Sequence, residues 1–334
     1  MSEFRHDDVT GRWVIIAPER AARPNDFPVE RRKMAGGFCP FCEGHEDKTP
    51  PEVMAIRHPG AGPNRPGWQV RVVPNRFPAL QPEKGLQKSL SGRRDHMTGF
   101  GIHEVIIDTP KHVLSIGEIP PEEVRSALAA YRDRLQSLVQ DRRIEYGMLF
   151  KNVGVSAGAT IEHSHTQLIG LPVIPDAVEI ELSHAKSHHR SKGKCLFCAV
   201  IEEELAAGVR VAAASEHFVA ITPYAARVPF ETWILPRKHG ANFEQQDPAT
   251  YGDLAQVLCN VLQRMDAALS RPAYNYLIHT APFRKKVSDF YHWHIEIIPS
   301  VTRAAGFEWG TGIYINPVAP ESAAAFLAQQ RGIS

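Results

Sequence analysis

Two stretches decide the fold, Glu162-His163-Ser164-His165-Thr166-Gln167-Leu168-Ile169-Gly170-Leu171-Pro172 and Phe290-Tyr291-His292-Trp293-His294-Ile295-Glu296-Ile297-Ile298-Pro299. Each sets a His-x-His step at the head of a strand-like segment, in which residues two apart share a face. Working outward, the same order of elements recurs around both. Upstream of the first lie CPFC (39–42), the β-branched run EVIIDTPKH ending at His112, and an amphipathic helix. Upstream of the second lie CLFC (195–198), TWILPRKH ending at His239, and another helix. From His112 to His163 is 51 positions and from His239 to His292 is 53, so the spacing repeats as well as the motifs.

The helices show a 3.6-residue period. Val124, Leu128, Tyr131, Leu135, Leu138 and Val139 form one apolar stripe, started by Pro120-Pro121-Glu122-Glu123; Leu254, Val257, Leu258, Val261, Leu262 and Met265 form the other, after Asp247-Pro248. Each half therefore reads as an α+β unit, an antiparallel sheet of short strands packed with a long helix, and the two units associate through their sheets. The stretch from Pro175 to Lys194 is polar and basic without a clear apolar period. It is expected to be a solvated linker carrying His184, His188 and His189, dividing the chain into 1–175 and 176–334. HPGAGPNRPG (58–67) reads as a surface loop.

The 334 residues carry 38 Lys+Arg against 37 Asp+Glu, a net charge of +1. That balance argues against nucleic acid as the main partner, because neutralising phosphates along a duplex needs a basic face. No apolar run approaches the roughly 18 residues that span a bilayer, and MSEFRHDDVTGRW lacks an apolar signal segment. A cytoplasmic protein with no membrane partner is the expectation. Four of the five cysteines fall as Cys-x-x-Cys pairs, Cys39/Cys42 and Cys195/Cys198; in a reducing compartment such spacing points to metal before disulfide. Each pair has two histidines in matching downstream places. The candidate ligand sets are Cys39, Cys42, His112 and His163, and Cys195, Cys198, His239 and His292. Two closed Cys₂His₂ sets suit structural Zn²⁺, two ions per chain. The alternative is that the cysteines are small buried hydrophobes.

On the extended segment His163, His165 and Gln167 point the same way. An ion holding His163 leaves His165 as a free, mostly neutral imidazole on a rigid strand, able to attack phosphorus if its other nitrogen is held by an acceptor. Gln167 can donate to a phosphoryl oxygen, and Asn152-Val153-Gly154-Val155-Ser156-Ala157-Gly158 offers backbone N–H groups to phosphate. Spacing alone leaves His165 open to the plainer reading of one more buried histidine.

NVGVSAGATIEHSHTQ resembles the His-Pro-His-x-Gln motif, with its preceding Asn and Gly-rich run, of the galactose-1-phosphate uridylyltransferase family in the histidine-triad superfamily. The likeness covers both halves. It implies two tandem histidine-triad-like repeats, His165 as the nucleophile and Gln167 as its partner in catalysis. The candidate substrate contacts are Asn152, Gly158 and Thr160, Asn75 in VPNRFPAL, and Arg20 and Arg23 in WVIIAPERAARP. It also implies ping-pong transfer of a nucleoside monophosphate from a nucleotide sugar, UDP-glucose or ADP-glucose, to galactose 1-phosphate, another sugar phosphate or phosphate, in a homodimer. Ser164 departs from the family's Pro. Part of an iron site known in some members survives as His279, His292 and His294, yet CLFC and PRKH fit a second zinc better, and these details look more like the ADP-glucose phosphorylase branch. His294 stands where the second half would carry a nucleophile but is not expected to be one, and Phe290, Tyr291 and Trp293 are expected to pack. A histidine-triad hydrolase is disfavoured because Gln167 stands where such enzymes carry a third His; a non-enzymatic zinc module is disfavoured by charge and by the long Cys-to-His spacing.

Overall fold

The computed structural model describes residues 1–22 and 36–330. The first half contributes β1 (Glu3–His6), β2 (Trp13–Ile16), β3 (Met54–Arg57), β4 (Trp68–Pro74), β5 (Lys88–Ser91), β6 (Arg94–Met97), β7 (Ile102–Ile107), helix α1 (Pro121–Gln140), β8 (Tyr146–Val153) and β9 (His165–Leu171). The second contributes α2 (Asp176–Lys192), α3 (Leu196–Ala207), β10 (Val211–Ala214), β11 (Phe218–Ile221), β12 (Thr232–Pro236), α4 (Tyr251–Leu269), β13 (Tyr274–His279), β14 (His294–Pro299), α5 (Gly306–Thr311), β15 (Tyr314–Asn316) and α6 (Pro320–Gln329).

Ten strands form one antiparallel sheet in the order β10-β11-β12-β14-β13-β8-β9-β7-β4-β3. Outward from the β13–β8 seam, each half runs through its five strands in the same sequence, so β9 matches β14, β7 matches β12 and β8 matches β13. The repeat read from the sequence is thus a structural repeat, fused edge to edge into a continuous sheet.

Helices α1 and α4 pack side by side on one face, because their apolar stripes have nowhere else to go. Leu128, Leu135, Leu138, Leu254, Leu258, Leu262 and Met265 join Ile106, Leu149, Leu168, Ile278, Ile295 and Ile297 of the sheet in a single core that spans both halves. Gly147 lets α1 come close: a Cβ there would lie 2.6 Å from Leu135 and 2.9 Å from Phe283. Cutting a residue such as Leu135 to Ala is worth about 2–5 kcal/mol.

The expected linker is a helix. In α2, Val178, Leu182 and Ala185 are buried; spaced four and three apart, they form a stripe too narrow to stand out among SHAKSHHRSK. With α3 they cover the second half's other sheet face, against Phe197, Ile221, Trp233 and Tyr291. His184, His188 and His189 lie on α2 and are half-buried. Residues 58–67 form the surface turn between β3 and β4. The chain's start crosses to the second half: β2 pairs in parallel with β15, and Arg5 bridges to Glu321 at 2.8 Å.

Candidate active site and metal centres

The ladder sets which side chains meet. Thr166 and Leu168 of β9 turn toward α1, where Thr166 Oγ1 is hydrogen-bonded to the Tyr131 hydroxyl at 2.6 Å. Alternation therefore puts His165 and Gln167 on the opposite face, as read from the sequence. His165 Nδ1–H donates to the His163 carbonyl oxygen at 2.7 Å, which leaves the Nε2 lone pair without a hydrogen-bond partner among the described residues. Burial, and then the charge of Lys151, pull this imidazole down to about 4, so it is neutral at physiological pH. Phe41 sets its ring edge-on against it, centroids 5.2 Å apart.

Gln167 is held by a residue that motif reading did not find. The Ala79 N–H donates to His103 Nδ1 at 3.1 Å, so the proton of His103 sits on Nε2, which donates to Gln167 Oε1 at 2.9 Å. The amide nitrogen of Gln167 is left for another partner. Asn75 lies beside the same His103 nitrogen at 3.0 Å, which brings this candidate to the Gln167 side chain. Asn152 of β8 accepts from Asn275 Nδ2 at 2.7 Å, and a Cβ on Gly158, at φ +86°, would lie 3.7 Å from the Asn152 amide nitrogen. Thr160 is exposed on the same loop. Arg20 is exposed on the turn Pro18–Ala22 after β2; Arg23 lies outside the described residues.

Both Cys₂His₂ sets assemble. The ligand atoms of Cys39, Cys42, His112 and His163 lie within 4.8 Å of one another, and so do those of Cys195, Cys198, His239 and His292. In the first, His112 and His163 turn Nδ1 toward Cys42 Sγ at 3.2 and 3.7 Å, and His163 Nε2–H donates to the Thr109 carbonyl at 2.8 Å. In the second, His239 Nε2–H donates to the Ser288 carbonyl at 2.6 Å and His292 Nε2–H to that of Pro236 at 2.9 Å. Holding the far ring nitrogen on a carbonyl fixes the tautomer and aims the near one, the second-shell device of metal-binding histidines. The donors thus fit a metal ion in each half.

A third group, Glu181, His279 and His294, also brings its donor atoms within 4.8 Å. Sequence reading tied His279 and His294 to His292; the structure gives His292 to the cysteines and supplies Glu181 from α2 in its place. His279 lies between Glu181 at 3.2 Å and Glu296 at 3.4 Å and stacks on His294, centroids 4.4 Å apart. Burial opposes charge on His279, but Glu181 and then Glu296 raise it to about 10. Burial, followed by that imidazolium, lowers His294 to about 4.

The pairs Phe150–Gln167 and Leu277–Glu296 are equivalent across the repeat, so His165, Gln167 and Asn152 correspond to His294, Glu296 and His279. The second set carries a carboxylate, bonded to Arg227, where the first carries an amide. Phe197 of α3, Trp233 of β12 and Tyr291 pack on that face with α2, and Trp293 is fully buried on the other. The second repeat is therefore covered on this face by α2 and α3 and carries charge where the first carries an amide.

The antiparallel two-repeat sheet, with the His165 imidazole set beside a Cys₂His₂ cluster, belongs with enzymes of nucleotidyl transfer. The chain belongs to the galactose-1-phosphate uridylyltransferase family: the model of its N-terminal domain matches residues 1–175 and that of its C-terminal domain residues 181–307. ADP-glucose phosphorylase of Arabidopsis thaliana is 38% identical over 336 residues, covering 96% of this chain and 91% of that protein. The galactose-1-phosphate uridylyltransferase of Thermotoga maritima is 28% identical, covering 97% of each. Among solved structures, the Arabidopsis ADP-glucose phosphorylase with bound ADP-glucose superposes with a TM-score of 0.84 over 99% of both chains at 38% identity. A uridylyltransferase superposes at 0.76 over 98% of this chain and 97% of that one, at 25% identity. Among the described residues no helix is long and apolar enough to cross a membrane.

Proposed function

We propose that the protein moves a nucleoside monophosphate from a nucleotide sugar to a phosphate acceptor through a nucleotidyl-His165 intermediate. The observation that carries this is the His165 imidazole itself, tied at Nδ1 to the His163 carbonyl and, among the described residues, with no hydrogen-bond partner at Nε2. In the first step Nε2 attacks the α-phosphorus; the P–N bond forms as the bond to the bridging oxygen breaks, and a sugar phosphate leaves. In the second step an oxygen of the acceptor phosphate attacks in line, the P–O bond forms and the P–N bond breaks. Gln167, aimed by His103, donates to the transferred phosphoryl group. The loop from Asn152 to Thr160 meets the phosphates with Asn152, Gly158 and Thr160. Asn75, Arg20 and Arg23 are assigned to nucleotide-sugar contacts on the family likeness.

The two Cys₂His₂ sets would hold Zn²⁺, two ions per chain, because paired thiolates with imidazoles suit zinc better than iron. Bound there, the ions supply structural cross-links: the first ties CPFC to the strand carrying the nucleophile, and no step of transfer passes through either. The division at residues 175/176, a homodimer and a cytoplasmic setting belong to the same reading.

ADP-glucose as donor and inorganic phosphate as acceptor is the second reading. It is favoured by Ser164 between the histidines, by the second Cys₂His₂ set and by the 38% identity to the Arabidopsis phosphorylase. UDP-glucose with galactose 1-phosphate is the alternative pair. Intact-protein mass spectrometry after brief exposure to UDP-glucose or ADP-glucose, quenched in alkali, tests both. A gain of one UMP or one AMP, absent in His165→Ala, names donor and nucleophile; no gain from either overturns double displacement.

A further inference from the structure

Beneath the nucleophile, on the helix side of the sheet, lies a fully buried ammonium. Lys151 of β8 has no exposed surface, and its Nζ donates to the Asp108 carboxylate, to Ser164 Oγ at 3.0 Å and to the His165 carbonyl oxygen at 2.8 Å. Asp108 also accepts from Ser164 Oγ at 2.9 Å and from the Tyr131 hydroxyl at 2.5 Å. Tyr131 is hydrogen-bonded to Tyr276 of the second repeat at 3.0 Å. Every donor on Lys151 is used, and one of the three holds the peptide from which the His165 ring hangs.

A buried ion pair is a poor way to gain stability, since apolar residues of like volume serve as well or better. The second repeat provides the comparison within the same chain. Counting one residue on from the equivalent pairs Phe150–Gln167 and Leu277–Glu296, Lys151 corresponds to Ile278. Counting three on from Val105–Gln167 and Trp233–Glu296, Asp108 corresponds to Pro236. Ser164 and Thr166 correspond to Trp293 and Ile295. The fold is thus built once with Ile, Pro, Trp and Ile, and once with Lys, Asp, Ser and Thr; the polar version sits under His165.

We propose that Lys151 is a positioning residue for His165: anchored by Asp108 and the Ser164 hydroxyl, its ammonium fixes the carbonyl of the nucleophile's own residue. Ser164 is integral to this. Its N–H donates to the Val113 carbonyl at 2.7 Å and its hydroxyl links Lys151 to Asp108, whereas the proline of the family motif supplies neither.

The proposal rests on His165 being the nucleophile, and the test separates the two. The full-length, metal-loaded protein is mixed with whichever of ADP-glucose or UDP-glucose labels it, and the single-turnover rate of adduct formation, kcat, KM, metal content and melting temperature are measured. Lys151→Met and Ser164→Ala are expected to slow adduct formation and kcat by about 10- to 100-fold, the scale of a small misplacement of a reacting group, with KM and metal content near those of the parent. Lys151→Met/Asp108→Leu copies the apolar character of the second repeat and removes the orphaned carboxylate. It is expected to regain the melting temperature without regaining the rate. Parent-like adduct rates in Lys151→Met, or a double variant that recovers rate and stability together, would overturn the positioning role while His165 still labels. A parent protein that takes no label overturns the nucleotidyl-histidine reading itself.

Discussion

His165 Nδ1 donates to the carbonyl oxygen of His163 at 2.7 Å, so the residue proposed to attack phosphorus is oriented by the backbone of a residue in the first Cys₂His₂ set. The two roles are adjacent in the chain yet separable. His165→Ala is expected to abolish the adduct and turnover while metal stays near two ions per chain. His163→Ala is expected to lose the first metal and stability together, since a buried structural site contributes its binding free energy to folding. Metal analysis by plasma emission beside intact mass checks both; comparable residual turnover in His165→Ala would sink the mechanism.

The second Cys₂His₂ set lies in the repeat whose sheet face is closed by α2 and α3. Cys198→Ser is therefore expected to lower metal content to about one ion per chain and to lower the melting temperature, while adduct formation at His165 persists in the fraction that stays folded. Complete loss of labelling in folded Cys198→Ser protein would show that the second set reaches the chemistry.

Gln167 owes its orientation to His103, whose Nε2–H holds Gln167 Oε1 at 2.9 Å. Removing the donor frees the amide to rotate. His103→Phe is expected to slow both half-reactions by about tenfold or more, up to the roughly 100- to 1,000-fold seen when an oriented donor is lost outright, with unchanged metal content. Separate single-turnover measurements of nucleotide uptake and discharge test this.

Much of this arrangement was legible in the sequence because it is local or periodic. The helical stripes of α1 and α4, the matched Cys-x-x-Cys pairs and the facing of His165 and Gln167 each follow from spacing within one segment; His163 sits in the bend before β9. His103, Lys151, Asp108 and Glu181 did not stand out, because strand register brings His103 beside Gln167 and Lys151 beneath Ser164, and register is not written in either segment alone. Helix α2 reads as a linker in the sequence for a related reason. Its three buried apolar residues make sense only against the sheet face they cover, and the intervening His, Lys and Ser residues hide them. Glu181, also buried on α2, was hidden with them.

His279 is held as an imidazolium between Glu181 and Glu296, raised to about 10 in the fold from an unfolded value near 6.5. A group whose pKa is raised on folding contributes fully below the unfolded value and loses that contribution as pH climbs to the folded one. Stability from this triad is thus complete below about pH 6.5 and fades toward pH 10. His165 and His294, lowered to about 4, act with the opposite sign: their neutral burial is fully favourable above about pH 6.5 and is lost as pH falls toward 4. The urea midpoint of the metal-loaded protein is expected to peak near pH 6.5 and to decline on both sides. His279→Gln cannot carry the charge, so it is expected to be less stable than the parent at pH 6.5, with the gap narrowing as pH rises to 10. A gap that stays constant across that range would mean that His279 is not charged in the fold.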